Sequence, residues 1–509
     1  MEHQSPSVTL RNCFRTPYAS AIAAARTCYS PRVVGAEEVS DRQLRTIGSL
    51  TFDAGHHTVY QHAHFEFGLE RISRQFVWGF LHAYPFYNSE QSSQRYVRLD
   101  EIRAHVPPLS GEPLSIYRSA LERAWGYYRE LSALLAEDTN AILAELRHLS
   151  PHSRPEKRRK VRKEAEKKAI EIARYVIPVA AHTSMVHTIS GVTLHRLRRL
   201  MHTGDTPRET AAVVSQMVDR VREVDPDFFD RIGEPPLEPG SAPEARQPEA
   251  AEPGRFRAWF DERLGGRTSR LIAHDPDAER HVADAYRLAM GLAPGDVSDD
   301  EALSRILDPA KNPYRLDRMN LSFHTALGRP LHHARYTFLK KLSHTADSQE
   351  QRHRMLPGSR PLLTRTDSRE PDYVTPQLIR GNPRARSIFD RAMAEAWEAK
   401  NALLDRGVSH EDALYLLPNA AALRFVESGD LLFFIHKWVM RTCFNAQEEI
   451  FRSAMEELEQ VRVLHPRLLQ RVGPPCVVRH KLARPVCTEG DHFCGVPVWL
   501  DFPAVRRPL

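Results

Sequence analysis

The chain has 509 residues, of which 41% are hydrophobic, so it can bury substantial cores and has the length of two or more domains rather than one. Six cysteines scattered over that length are too few for a disulfide-stapled scaffold, no apolar run reaches the 18 or so residues a membrane span needs, and the N-terminus lacks a signal-peptide pattern; a reducing, cytoplasmic protein is expected. A net charge of +6 suits anionic small ligands and falls short of the usual signature of a nucleic-acid binder.

In chain order, a short apolar strand is expected around Val8–Leu10, followed by an alanine-containing helix over Ala19–Arg26. Cys28, just beyond it, reads as a small packed residue. Tyr60 to Phe67 (YQHAHFEF) alternates like a strand and carries His62, read as a core histidine. Tyr87 to Val97 (YNSEQSSQRYV) then packs three serines, two glutamines, an asparagine and an arginine into one run. Such a group of donors suits a phosphate or a pyrimidine edge, although a polar surface loop has the same composition. Arg154 to Lys168 is a strongly basic helical stretch without interleaved aromatics, which fits a solvated face. Glu171 to Pro178 (EIARYVIP) leads into a further long helical pattern.

Gly233 to Gly254 is rich in Pro, Glu and Ala, builds no core and reads as a linker. Beyond it the order of elements repeats. A strand around Leu271–Ala273 precedes a helix over Ala278–Arg287; Leu331 to Phe338 (LHHARYTF), carrying His333, matches YQHAHFEF; and Tyr415 to Ala421 (YLLPNAA) matches Tyr175 to Ala181 (YVIPVAA). The first copy is longer between these markers and includes the basic stretch. Two α+β units are therefore expected, each a small sheet with packed helices: residues 1–232 and 255–460, with a linker at 233–254 and a tail at 461–509. The tail holds Cys476, His480, Cys487, His492 and Cys494, spaced unlike the tight Cys pairs of zinc sites, and no metal is expected. In the second unit Ser348 to Arg354 (SQEQRHR) places two arginines and a histidine within three residues, a cluster suited to phosphates or an anionic flavin.

These motifs in this order resemble the flavin-dependent thymidylate synthases, whose signature runs Arg-His-Arg, two spacers, Ser, and on to Ser-x-Arg-Tyr. Gln351 to Met355 (QRHRM) looks like its start, Ser93-Gln94-Arg95-Tyr96 like its end, and Phe434 to Ile450 like the family's late helix. Each copy keeps a different part. In the first, the Arg-His-Arg place is held by something like Leu81-His82-Ala83, and the late arginine falls near Met201; in the second, Ser-x-Arg-Tyr is missing and Leu414 stands in for Arg174.

The resemblance implies one composite site for dUMP, with Ser93, Arg95 and Arg174 from the first half and Gln349, Arg352, His353, Arg354 and Arg441 from the second. Ser93, Arg95, Arg174 and Gln349 would bind substrate, Arg352 and Arg441 would be catalytic, and Arg352, His353 and Arg354 would contact FAD. It further implies methylenetetrahydrofolate and NADPH as cosubstrates, no nucleic-acid or membrane partner, and a homodimer that gives a four-domain pseudo-tetramer. A related flavoenzyme for another pyrimidine nucleotide, or a non-catalytic nucleotide-binding protein, are the alternatives.

Overall fold

The computed structural model describes residues 4–231, 235–248 and 252–509. It contains two four-stranded antiparallel sheets of identical topology. In the first, the order is β1 (Ser7–Cys13), β2 (His64–Ser73), β4 (His182–Ser190), β3 (Tyr87–Gln91); in the second, it is β5 (Ser269–His274), β6 (Arg335–Ser343), β8 (Ala422–Asp430), β7 (Gly358–Ser359). Each sheet packs helices against its own apolar core, built around Phe65, Phe67 and Phe228 in one half and Tyr336, Phe338 and Trp438 in the other. The fold is α+β, as two copies in tandem. The linker expected at 233–254 falls partly outside the described residues, and the helix Pro253–Leu264 already begins within it. The boundary expected at 460 lies inside the helix Glu448–Leu464.

The strand–helix junctions explain why the repeat is hard to align. Ser73 and Ser343 close β2 and β6 and cap the next helix, each hydroxyl accepting from the backbone N–H three residues on, at Phe76 and Ala346. β6 pairs with β8 without interruption from Arg335 to Ser343, whereas β2 carries a register shift between Leu69 and Ile72, where Arg71 adopts φ 55°. That β-bulge inserts one residue into the first copy. Counted from the caps, Arg352–Arg354 correspond to His82–Tyr84, one residue on from Leu81–Ala83.

His62 and His333 are not core histidines. Both are exposed, at the ends of 3₁₀ turns that precede the strands; the turns bury Tyr60 in the first half and Pro330 and Leu331 in the second, and the alanine after each histidine, Ala63 or Ala334, is buried too. Cys28 is likewise exposed at the end of its helix rather than packed.

The halves meet through the two matching segments. Pro178 faces Pro418 in an antiparallel bridge; Val179 and Ala180 N–H donate to the carbonyls of Leu417 (2.8 Å) and Tyr415 (3.0 Å), and Asn419 and Ala420 N–H donate to Ile177 (2.8 Å) and Tyr175 (2.9 Å). Side chains repeat this exchange. Tyr175 donates to Glu449 (2.8 Å), which also receives the Ser343 hydroxyl (2.7 Å); Tyr415 donates to Glu209 (2.6 Å), which also receives the Ser73 hydroxyl (2.6 Å). Such reciprocity belongs to an isologous interface, here within one chain. The 36-residue helix Gly111–Leu146 packs across it on Pro383–Asp405, and Trp125, Tyr117, Phe389 and Trp397 join a third core that both halves share. Burying each of these rings is worth ~1.5–3 kcal/mol, so neither half is complete alone.

Candidate active site

β3 runs along one side of the interface and delivers the loop Ser92–Tyr96 toward the other half. Ser92 N–H donates to the Ser184 carbonyl (2.9 Å), and the Ser93 hydroxyl accepts from Arg95 N–H (3.2 Å), which fixes the turn. Arg95 then reaches across. Its Nε donates to Glu171 (2.8 Å) and its Nη2 to the carbonyl of Asn445 in the second half (3.0 Å).

Asn445 lies just beyond the helix Leu431–Arg441, whose last residue donates through Nε to His353 Nε2 (2.8 Å) and through Nη2 to the Gln349 carbonyl (3.3 Å). The turn carrying Gln349 to Arg354 in turn faces β3: Arg352 pairs with Glu90 (3.3 Å), Arg354 donates to Asn88 (3.3 Å) and lies over the Tyr87 ring (5.0 Å), and the Tyr87 hydroxyl reaches the Gln351 carbonyl (3.5 Å). Contacts across the junction thus connect Arg95 to Asn445, Arg352 to Glu90 and Arg354 to Asn88. On the outer side of Ser92–Gln94 an open cleft of ≈ 920 Å³ passes Arg71, Arg74 and Arg98.

Positive charge dominates this place. Glu171, buried among Lys168, Arg95 and Arg174, is held down to about 2 by those cations despite its burial, so it stays ionised. It does not balance them. Burial and neighbouring cations lower Arg174 and Arg441, the latter feeling both Arg352 and Arg95, while burial brings Arg74 to about 9 and Arg507, from the C-terminal end, to about 10. Among the described residues Arg174 Nη2 is buried with no hydrogen-bond partner, and so are Gln349 Oε1 and Gln94 Nε2. Buried polar atoms are normally paired, and a cluster of orphans beside excess cations fits an anion with an amide-bearing ring. Burial and Arg441 push His353 well below its ordinary value, so its ring is neutral and accepts from Arg441.

The description "Thymidylate synthase complementing protein" matches residues 9–227 and again 270–467. The chain belongs to the flavin-dependent thymidylate synthase family, as a tandem duplication. Relatives carrying that name include those of Geobacter sulfurreducens (32% identical, 44% of this chain, 92% of the relative), Clostridium tetani (31%, 44% and 84%) and Sulfurisphaera tokodaii (34%, 42% and 81%). Each is about one half of this chain.

At the corresponding place on the opposite side of the junction the residues differ. Arg174 and Leu414 both open the 3₁₀ turn before the crossing proline, and Leu414 is buried. Strand pairing places Thr364 where the first half has Arg95. Instead of an arginine reaching out, the Asp205 carboxylate there accepts from the N–H groups of Leu363 (3.0 Å) and Thr364 (2.9 Å) and from the Thr364 hydroxyl (2.9 Å). Asp205 is the counterpart of Asn445, and buried Met201 that of Arg441.

Behind the Gln349–Arg354 turn lies a set that the motif reading missed. Lys340 and Lys437, both fully buried, share Glu350, Glu427 and Glu457: Lys340 at 2.9, 3.2 and 2.9 Å respectively, and Lys437 against all three. The first half has Leu69, Leu197, Phe80, His187 and Met217 at these places. Glu350 also feels His353 and Arg441, so the network supports the half that supplies the arginines.

Proposed function

We propose that the chain methylates dUMP to dTMP in a single composite site per chain, using a bound FAD with NADPH and methylenetetrahydrofolate. Arg95 and Arg174 hold the dUMP phosphate by charge-assisted bonds, and the Ser93 hydroxyl, already accepting from Arg95 N–H, has its proton left to donate. Gln349 offers its unpaired carbonyl to the uracil N–H. Arg441, aimed by neutral His353, and Arg352 would stabilise negative charge on a uracil carbonyl oxygen. Arg352 and Arg354, which contact Glu90, Asn88 and the Tyr87 face, would turn onto a flavin pyrophosphate, with His353 beside them. The flavin supplies the redox chemistry and the folate the carbon. The protein's share is orientation, charge and exclusion of water. Dimerisation of the chain would complete a four-domain assembly of the family's type.

The observation that carries this reading is Arg174 Nη2, a buried donor without a partner at the meeting of cations from both halves. Growth of a thymidylate-synthase-deficient host without thymidine, by a yellow purified protein that binds dUMP, is the expected result. A yellow protein that fails to complement and prefers another pyrimidine nucleotide would point to a related flavoenzyme. A colourless one would leave a nucleotide-binding protein.

A further inference from the structure

The first half carries a long helical hairpin, Gly111–Leu146 packed on Pro155–Ala173, and each helix presents one face to the same cleft. Asp138, Ala141 and Ile142 on one, and Lys168, Glu171 and Ile172 on the other, follow the i, i+3, i+4 spacing that sets side chains side by side along a helix. The short helix Gln377–Gly381 of the second half and the chain from Arg507 onward complete the walls. The cleft measures ≈ 660 Å³, a size that suits a small molecule, and shares no lining residue with the one outside Ser92–Gln94.

The carboxylates of this wall are already engaged. Asp138 accepts from the Asn382 amide (2.6 Å), Glu448 from Gln377 N–H (2.9 Å) and Glu171 from Arg95 (2.8 Å). Its cations are not. Lys168 makes no hydrogen bond or ion pair among the described residues. Arg507 is anchored by Nη2 on the Ala446 carbonyl (2.7 Å), next to the Asn445 carbonyl that holds Arg95, by Nε on the Leu509 carbonyl, and by the Phe451 ring (4.8 Å). Its Nη1 is buried without a partner among the described residues. Burial lowers Lys168 in spite of Glu171, and brings Arg507 to about 10. The rest of the wall is aliphatic, with Ile142, Ile172, Leu378 and Pro383, and none of the described lining residues is aromatic, so no ring is offered on which a base could stack.

We propose that this cleft binds an aliphatic carboxylate, whose two oxygens accept from Lys168 and Arg507 while its hydrocarbon body covers the aliphatic wall. No bond is made or broken. Both halves build the site together with residues beyond 467, where the match to the family ends, so the site belongs to this fused chain. Occupation also has a consequence that rests on the dUMP reading. Glu171 serves this wall and Arg95 alike, so a carboxylate here sets a second anion beside the cations that hold the nucleotide phosphate, and each ligand weakens the other.

The test is calorimetric titration of the full chain with octanoate, and with octanol as the neutral counterpart. One octanoate per chain is expected, bound at least about tenfold more tightly than octanol; Lys168→Gln and Arg507→Gln should each remove about that factor for octanoate and leave octanol unchanged. Ala141→Trp, at an exposed helix position, fills the cleft with its cations in place and should abolish both. Should the variants not fold, the ratio of octanoate to octanol in the parent chain still decides. Octanoate weaker than about 1 mM, octanol bound as tightly, or octanoate indifferent to Ala141→Trp would overturn the site. Saturating octanoate should raise the Kd of dUMP about fivefold or more, and an unchanged Kd would overturn the linkage. A chain that takes octanoate as described but no dUMP refutes the nucleotide reading and upholds the cleft.

Discussion

Replacing Arg95 by alanine separates a shared site from two ordinary ones. Its guanidinium bridges Glu171 at 2.8 Å and the Asn445 carbonyl at 3.0 Å. Glu171 keeps Lys168 and Arg174 after the change, so it is not left as an isolated buried charge, and the stability cost is ~1–3 kcal/mol rather than the ~3–5 of a fully broken buried pair. Loss of a charged donor to the nucleotide phosphate costs a further ~1.5–3 kcal/mol of binding, or roughly 10- to 150-fold in Kd. Arg441→Ala, in the other half, is expected to weaken dUMP by a similar factor. Thr364→Ala, at the position equivalent to Arg95, should leave affinity unchanged. Calorimetric titration reads both affinity and stoichiometry, and the expected stoichiometry is one nucleotide per chain. Two equivalent sites per chain, or an Arg95→Ala affinity within about twofold of the parent's (~0.4 kcal/mol), would refute the composite site.

Tyr175→Phe and Tyr415→Phe remove corresponding bonds to Glu449 and Glu209, and both should lower the unfolding free energy by ~1.5–3 kcal/mol; denaturant titration in which only one of them matters would contradict the reciprocal interface. Lys340→Met leaves three buried glutamates to Lys437 alone, with an expected loss of ~3–5 kcal/mol, whereas Leu69→Met at the matching place should cost under about 1.5 kcal/mol. Burial holds His82 to about 4 and His187, His195 and His344 to about 3, against an ordinary value of 6.5. The unfolded chain therefore takes up protons first, and the stability present above pH 6.5 declines as pH falls toward 3–4. Each fully differing proton adds ~1.4 kcal/mol per pH unit to that slope, and flat denaturation midpoints between pH 6.5 and 5 would exclude it.

The repeat was legible because YVIPVAA and YLLPNAA do the same task on either side of one axis, and a backbone that pairs with its own copy tolerates little change there. The division of the arginines could be read too, since Arg174 against Leu414 is a change of chemistry at a fixed place. Other features left a fainter trace. The bulge at Arg71 adds a residue without changing the apolar pattern around it, which put the count around Leu81 off by one. His62 and His333 look like strand residues because the alternation begins before the hydrogen-bonded ladder does. Lys340 had a signal that was not used: Tyr336, Phe338 and Leu342 share its parity on β6, so the period of two already places the lysine inside. Its partners come from elements up to 117 residues away, and only folding reveals that they neutralise it.

The Pro178–Pro418 crossing gives synthesis of the chain an order of events. When Tyr175 to Ala181 leaves the ribosome, the segment it pairs with is still 240 residues from being made, a delay of roughly 12–48 s at ordinary elongation rates. Through that interval the first half presents open N–H and C=O groups and a tyrosine without its glutamate. The surface that fits them closely is the same surface on another nascent first half, whose Glu209 stands where Glu449 belongs. Two such halves joined would share Arg95 and Arg174 twice over and hold no Arg441. Fusion of the copies therefore trades a search between molecules for a race within one, and a neighbouring ribosome on the same message carries the competitor.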